Sequence, residues 1–265
     1  MRGLGALLAS TLLLGCSSGG SGGDSSSGGA SSGGASSGGA SSGGASSGGA
    51  EQRRREQQAL APRCRAAPLH HGEGTYYAAT GAGNCSFDAT PNDLMVAAMN
   101  QTDYADSAAC GACAHIEGPS GQVTVRIVDR CPECAVGDID LSPQAFEKIA
   151  ELSAGRVDIS WRYVPCTPPG PIAYRFKEGS NQWWTAVQIR DHRHAIATVE
   201  YESNGVFVPV ARENYNYFVE PAGMGPGPYT FRVTDVYGHT LVDTAIPHQE
   251  AQVVPGKAQF PACSN

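Results

Sequence analysis

The chain has 265 residues and a formal net charge of −7, from 18 Lys+Arg against 25 Asp+Glu, with 34 Gly, 17 Pro and 9 Cys. A net-acidic chain whose basic residues form no long block argues against a nucleic-acid partner. Once a low-complexity start is set aside, roughly 200 residues remain, enough for two small domains.

Residues 1–15 open with Met1-Arg2 and continue as an apolar run too short to cross a bilayer stably, the pattern of a signal peptide. The run closes on Leu13-Leu14-Gly15-Cys16, which resembles a bacterial lipobox and makes Cys16 the expected site of lipidation and membrane attachment. The residue after it is Ser17, not Asp, which in a Gram-negative cell favours the outer membrane. Residues 16–62 are a linker: almost only Ser, Gly and Ala up to Ala50, with five copies of a Ser-Ser-Gly-Gly-Ala pentad from Ser26, then a short mixed-charge stretch. Such a composition cannot bury enough apolar area to offset its ordering entropy, so we expect a disordered tether with an r.m.s. span of about 30 Å over its Ser/Gly/Ala part.

Setting Cys16 aside leaves Cys64, Cys85, Cys110, Cys113, Cys131, Cys134, Cys166 and Cys263. An even number in an exported chain points to disulfides. The competing reading is a four-cysteine zinc site, because Cys110-x2-Cys113 and Cys131-x2-Cys134 have the right spacing. A redox CxxC is a third reading.

Residues 63–166 contain β-prone runs, among them 123–129 and 157–164, the first with alternating apolar and polar residues. Between them a helix is expected, with Ser142 as N-cap, Pro143 at N1, Phe146, Ile149, Ala150 and Leu152 on one face and Gly155 as the stop. Many short strands with one helix suggest a small β-barrel. Residues 167–170, at the start of the Thr167-Pro168-Pro169-Gly170-Pro171 stretch, form a stiff interdomain linker. In 171–265 strands are expected at 172–176, 185–190 and 197–202, with hairpins turning at Asn204-Gly205 and Tyr237-Gly238, and no helix. A β-sandwich follows from that pattern.

Two groups carry chemistry. Asp129-Arg130-Cys131-Pro132-Glu133-Cys134 followed by Gly137-Asp138-Ile139-Asp140-Leu141-Ser142 gathers carboxylates near strand ends, the raw material of glycoside hydrolysis. Asp140 precedes a helix and reads equally as a turn residue; Asp138 reads as a solvated turn acid. In the second half, Trp183-Trp184 and Tyr215-Asn216-Tyr217-Phe218 lie in a polar, turn-rich setting and read as a sugar-stacking platform. Adjacent strand residues face opposite ways, so both tryptophans share a surface only if a bulge or loop rotates one; otherwise one is core.

Gly74-Thr75-Tyr76-Tyr77, the block at 128–142, Tyr174 to Ser180, Trp183-Trp184 and Tyr215 to Phe218, in this order, resemble a bacterial expansin over residues 72–261. The resemblance implies an all-β chain: a six-stranded double-psi β-barrel with one or two short helices, then an immunoglobulin-like cellulose-binding module. It implies non-hydrolytic loosening of plant cell walls by a monomer that binds cellulose and matrix glucans without a cofactor or metal. Carried over by position, Asp140 resembles the general acid of family-45 glycoside hydrolases, with Thr75 and Asp129 as groove neighbours. Trp183, Trp184 and Tyr215 would form the platform, with Lys177 in support. Where some bacterial relatives have a groove tyrosine this chain has Cys131, which cannot stack on a sugar. The expected bridges include Cys85 with Cys110 and Cys113 with Cys166.

Hydrolysis needs a second carboxylate across the scissile bond. The related hydrolases carry it near the first strand, where this chain has Thr75-Tyr76-Tyr77, with Glu73 one pleat out of register. The expected protein is therefore not an enzyme. Three rivals are a peptidoglycan lytic transglycosylase of the rare-lipoprotein-A type, a cellulose-adhesion lipoprotein with an inert barrel, and a family-45-like endoglucanase.

Overall fold

The computed structural model describes residues 64–263; the expected signal peptide, the expected lipidation site Cys16 and the Ser/Gly/Ala stretch lie outside them. The first half contains β1 (His70–Tyr76), β2 (Val96–Asn100), α1 (Gln101–Tyr104), β3 (Cys113–Gly118), β4 (Gly121–Cys131), β5 (Ile139–Leu141), α2 (Pro143–Phe146), a 3-10 turn at Leu152–Ala154 and β6 (Val157–Val164). Its six strands close into a barrel in the order β1-β5-β2-β4-β3-β6. Two of the pairings, β1 with β5 and β2 with β4, are parallel, and they bring together segments far apart in sequence. The apolar half of each alternating strand fills the barrel: Met99, Val125, Ile127, Ile139, Leu141, Ile159 and Trp161 belong to one cluster.

The helix begins as its sequence suggests, with the Ser142 hydroxyl accepting from the Ala145 N–H at 3.0 Å and Pro143 at N1. It does not run to Gly155. Residues past Phe146 form turns: the Lys148 and Ile149 N–H groups bond three residues back, to the Ala145 and Phe146 carbonyls, and the Ile149 carbonyl is taken by the Ser120 N–H of the β3–β4 turn at 2.9 Å. Phe146, Ile149 and Ala150 are still buried, so the apolar spacing reported burial correctly and helix length incorrectly.

The second half contains only strands: β7 (Ala173–Phe176), β8 (Thr185–Arg190), β9 (Ile196–Ser203), β10 (Val206–Arg212), β11 (Phe218–Glu220), β12 (Tyr229–Asp235), β13 (Thr240–Ile246) and β14 (Val253–Pro255). The order is β13-β12-β9-β10-β11-β8-β7-β14. The sheet folds over at β10, so that Tyr174, Phe176, Val187 and Phe218 from one leaf and Val199, Phe231, Val233 and Ile246 from the other share one core. Both expected hairpins are present; Asp235 Oδ1 caps the second by accepting from the N–H groups of Tyr237 and His239, each at 2.9 Å.

Four disulfides join Cys85–Cys110, Cys113–Cys166, Cys131–Cys134 and Cys64–Cys263. The first two are the expected pairings. The four-cysteine zinc reading is overturned, since Cys110, Cys113, Cys131 and Cys134 are consumed in three separate bridges.

Barrel and sandwich meet through a polar seam. Asn84 Nδ2 donates to the Asn214 carbonyl at 2.8 Å and Ser107 Oγ to that of Glu213 at 2.7 Å, while Gln188 Nε2 reaches the Cys85 carbonyl at 2.8 Å. Arg190 Nη1 pairs with Asp88 at 2.6 Å. Of these groups Ser107 and Gln188 are buried and help fix the register of the seam, because leaving a buried polar group unpaired costs about 1–3 kcal/mol.

Candidate functional site

Four residues form a row across four barrel strands. Thr75 on β1 is the register partner of Asp140 on β5, Asp140 of Ala98 on β2, and Ala98 of Asp129 on β4. Ile139 and Leu141 point into the core, so the alternation turns Asp140 outward, and Thr75 Oγ1 donates to Asp140 Oδ1 at 2.6 Å. With neighbouring strands about 4.8 Å apart, Asp140 and Asp129 stand about 10 Å apart with the small Ala98 as floor between them. Asp129, expected as a groove neighbour, is therefore across a groove from the acid.

Each wall is held differently. Asp129 Oδ1 accepts from the Asn84 N–H at 2.6 Å and its neighbour Arg130 N–H at 2.8 Å. The loop over it needs Gly83, because a Cβ there would stand 2.4 Å from the Asp129 carboxyl carbon. Burial pushes the Asp140 carboxyl above the usual aspartate range; the Thr75 hydrogen bond opposes this, and the carboxylates of Glu133 and Asp129 add to it. Asp138 is a structural turn acid, with Oδ1 accepting from Glu73 N–H at 2.8 Å and Oδ2 from Ala135 N–H at 3.1 Å.

Sequence reasoning missed two groove residues. Burial, then the charges of Asp129 and Asp140, raise the pKa of the Tyr77 phenol, whose buried hydroxyl lies beside the Asp129 carboxylate without a well-aligned hydrogen bond. Its position two residues after Thr75 was the available signal. Glu133 lies between Cys131 and Cys134, whose bridge holds the carboxylate near Asp140; nothing local in the sequence announces that closeness. Cys131 itself is buried and bonded, so no ring stands there.

Glu73 is on the same face of β1 as Thr75, two residues earlier. Its Oε2 takes Arg156 Nη1 at 2.5 Å, in a shallow cleft lined by His71, Asp158 and Ser160 on the β6 side of β1, whereas Asp140 is on the β5 side.

On the second half, the outer face of the leaf carrying β7, β8 and β11 presents a second cluster. Val219 and Ala186 are register partners, and Lys177 N–H bonds to the Ala186 carbonyl. Trp184, Tyr215 and Tyr217 pack around that patch, with the two tyrosine rings 6.0 Å apart. Asn181 Oδ1 accepts from the N–H groups of both Trp183 and Trp184, at 2.9 and 3.2 Å, making the tight turn that breaks strand alternation. Neither tryptophan is core: Trp184 is half-buried and Trp183 is 72% exposed, the most exposed large apolar side chain among the described residues. Tyr217 joins the cluster and was absent from the expected set.

The chain is 37% identical over 217 residues to Expansin-YoaJ of Bacillus subtilis (strain 168), a match that covers 76% of this chain and 92% of that protein. The chain belongs to the expansin family. A family model described as lytic transglycolase matches residues 96–161, within the barrel. Among solved structures, the apo expansin of Clavibacter michiganensis shares 34% identity with a TM-score of 0.70, covering 74% of this chain and all of that one. A point mutant of the Clavibacter expansin, solved in complex with cellohexaose, aligns with the same TM-score at 33% identity. Expansin-like protein 3 of Dictyostelium discoideum is 29% identical over 74% of this chain, which spans 62% of that protein. The double-psi barrel and the all-β second half of this expansin agree with those neighbours.

Proposed function

We propose that this expansin loosens plant cell walls without hydrolysis, gripping a glucan chain in the Thr75–Asp140–Ala98–Asp129 groove while Trp183, Trp184, Tyr215 and Lys177 hold cellulose on the second domain. The observation that carries the reading is the arrangement along β1. Opposite Asp140 the strand offers a hydroxyl from Thr75 and a phenol from Tyr77, and its one carboxylate, Glu73, is neutralised by Arg156 on the far side. Asp129, across the groove, has its Oδ1 held by the Asn84 and Arg130 N–H groups, and a carboxylate committed in this way is a poor base, so on this reading Asp140 donates hydrogen bonds and water is not activated. The cellohexaose complex of the Clavibacter relative supports a glucan as the ligand.

Four disulfides fit an oxidising, exported setting, and acylation of Cys16 would tether the protein to the cell envelope, in the outer membrane if the cell is Gram-negative. The test is wall creep measured beside reducing-sugar release on the same plant wall sample. Creep without sugar is expected. Release of oligosaccharide by the wild type, lost in Asp140→Asn, overturns the non-hydrolytic reading.

The family model on residues 96–161 favours a second reading, cleavage of peptidoglycan by the barrel. Chromatography of purified peptidoglycan sacculi after incubation decides it: anhydro-muropeptides would establish the transglycosylase.

A further inference from the structure

The Cys64–Cys263 bridge sits against a histidine that no part of the glucan-binding reading uses. His194 Nε2 lies 3.3 Å from Cys263 Sγ and 3.9 Å from Cys64 Sγ, and its side chain is 1% exposed. Its other nitrogen, Nδ1, is 2.7 Å from Asp235 Oδ2, a fully buried carboxylate whose Oδ1 is committed to two backbone N–H groups. His239 Nδ1 reaches the same Oδ2 at 2.7 Å. A carboxylate oxygen only accepts, so His194 Nδ1 carries a proton, and in the neutral imidazole Nε2 presents a lone pair. Two disulfide sulfurs have no proton to give it. A buried acceptor thus faces a pair of atoms that cannot satisfy it in the oxidised protein.

We infer that Cys64, Cys263 and His194 form a redox-gated binding site for zinc or a similar soft divalent metal, closed when the bridge is intact and opened by its reduction. The three ligand atoms already lie within 4.8 Å of one another. In a tetrahedral zinc site with Zn–S near 2.3 Å and Zn–N near 2.0 Å, the sulfurs stand about 3.8 Å apart and each is about 3.5 Å from the nitrogen. The sulfur–nitrogen distances therefore need little change, and the sulfurs need to part by less than about 2 Å. Both cysteines lie in coil, outside every strand, so no ladder hydrogen bond has to break. The histidine is prepared as metal-bound histidines are, its far N–H donated to a carboxylate that fixes tautomer and ring orientation. Burial keeps His194 below the usual histidine range, favouring the neutral ligand form.

The chemistry balances with a dithiol as reductant: it gives two electrons and two protons to the S–S bond, becomes a cyclic disulfide, and leaves two thiols on the protein. Metal binding then releases the two thiol protons to solvent, with the fourth coordination position left to water. The metal replaces the covalent clasp between the start of the barrel and the end of the second domain.

The experiment uses the full chain, oxidised and anaerobically reduced, with Zn2+ alone in a chromophoric-chelator competition and Co2+ as the spectroscopic probe; circular dichroism follows the fold. Other reduced cysteines also bind metal, so Cys64→Ser/Cys263→Ser is the blank that retains them and Cys131→Ser/Cys134→Ser is the control that should keep the signal. The expected result is one high-affinity Zn2+ in the reduced wild type beyond the blank, thiolate-to-Co2+ charge-transfer bands missing from the blank, affinity lowered at least about tenfold in His194→Gln, and a higher thermal midpoint of the reduced wild type with Zn2+. Equal metal uptake by wild type and blank, or a Co2+ spectrum insensitive to His194→Gln, overturns the site. So does a reduced chain that unfolds and is not restored by Zn2+.

Discussion

Thr75 and Asp140 are register partners on parallel strands β1 and β5, joined by a 2.6 Å hydrogen bond from the threonine hydroxyl to Asp140 Oδ1. That bond opposes the burial that raises the Asp140 pKa, so Thr75→Val should raise it further, read by carboxyl chemical shifts across a pH titration. The sign for stability follows from a folded pKa above the unfolded one: the contribution is full below the unfolded value and is lost as pH rises through the folded value. Asp140→Asn should therefore increase the melting temperature at pH 7, with the gain vanishing in strong acid. A lower melting temperature at pH 7 would mean that the carboxylate is stabilised by a partner not accounted for above.

Glucan grip and cellulose adhesion should separate by domain. Asp140→Asn should abolish wall creep while leaving pull-down on microcrystalline cellulose within about twofold, since the aromatic cluster lies on the other domain. Full creep by the variant would leave the barrel inert and the protein an adhesin.

The two tryptophans should behave differently. Trp183, almost fully exposed, should lose cellulose affinity on Trp183→Ala with stability unchanged within about 0.5 kcal/mol. Trp184 packs on Ala186, Tyr217 and Val219, so Trp184→Ala should lose affinity and about 1–2 kcal/mol of stability as well. Cellulose pull-down and urea unfolding, run on both variants with Tyr215→Ala, check this; unchanged binding in all three refutes the platform.

His192 is buried against Gly111 where sandwich meets barrel, its Nδ1 2.8 Å from the His194 carbonyl, and burial lowers its pKa from 6.5 to about 4. Arg212 and Arg126 add to the depression. With the folded pKa below the unfolded one, stability is full above about pH 6.5 and falls by up to about 3 kcal/mol as pH drops toward 4. Urea midpoints between pH 4 and 7 should fall more steeply for wild type than for His192→Gln. Parallel curves would show that other groups carry the acid sensitivity.

Loop length should rank the bridges. Cys64–Cys263 closes a separation of 199 residues and Cys131–Cys134 one of 3, so the chain-entropy model assigns them about 5 and about 2 kcal/mol. Removing each pair by Cys→Ser and comparing melting temperatures tests the ranking.

Strand positions were largely legible because alternation is local: 157–164 and 185–190 match β6 and β8, and Asn204-Gly205 turns where expected. The helix after Ser142 was overextended because a turn packed on the barrel buries residues at the same spacing as a helical face. The groove was legible as residues and not as an arrangement. Ala98 gives no chemical signal, yet it is the partner of both aspartates, and only the antiparallel pairing of β2 with β5 and the parallel pairing of β2 with β4 make it so. Glu133 entered the groove through a disulfide whose spacing also matched half of a four-cysteine zinc site. Tyr217 was quoted within its motif, and the two-residue step from Tyr215 places the rings together.

The bridge from Cys64 to Cys263 also decides how a mechanical load travels. A pull on the chain before residue 64 divides at the sulfur: one branch enters β1, and the other crosses to Cys263 and runs through the segment anchored by buried Phe260 toward β14. Barrel and sandwich are thus loaded in parallel, whereas without the bridge all the tension would pass through the barrel before reaching the sandwich. If Cys16 anchors the chain and the second domain holds the fibre as proposed, hauling on cellulose would divide the strain between the two branches, and the barrel groove would bear only part of it.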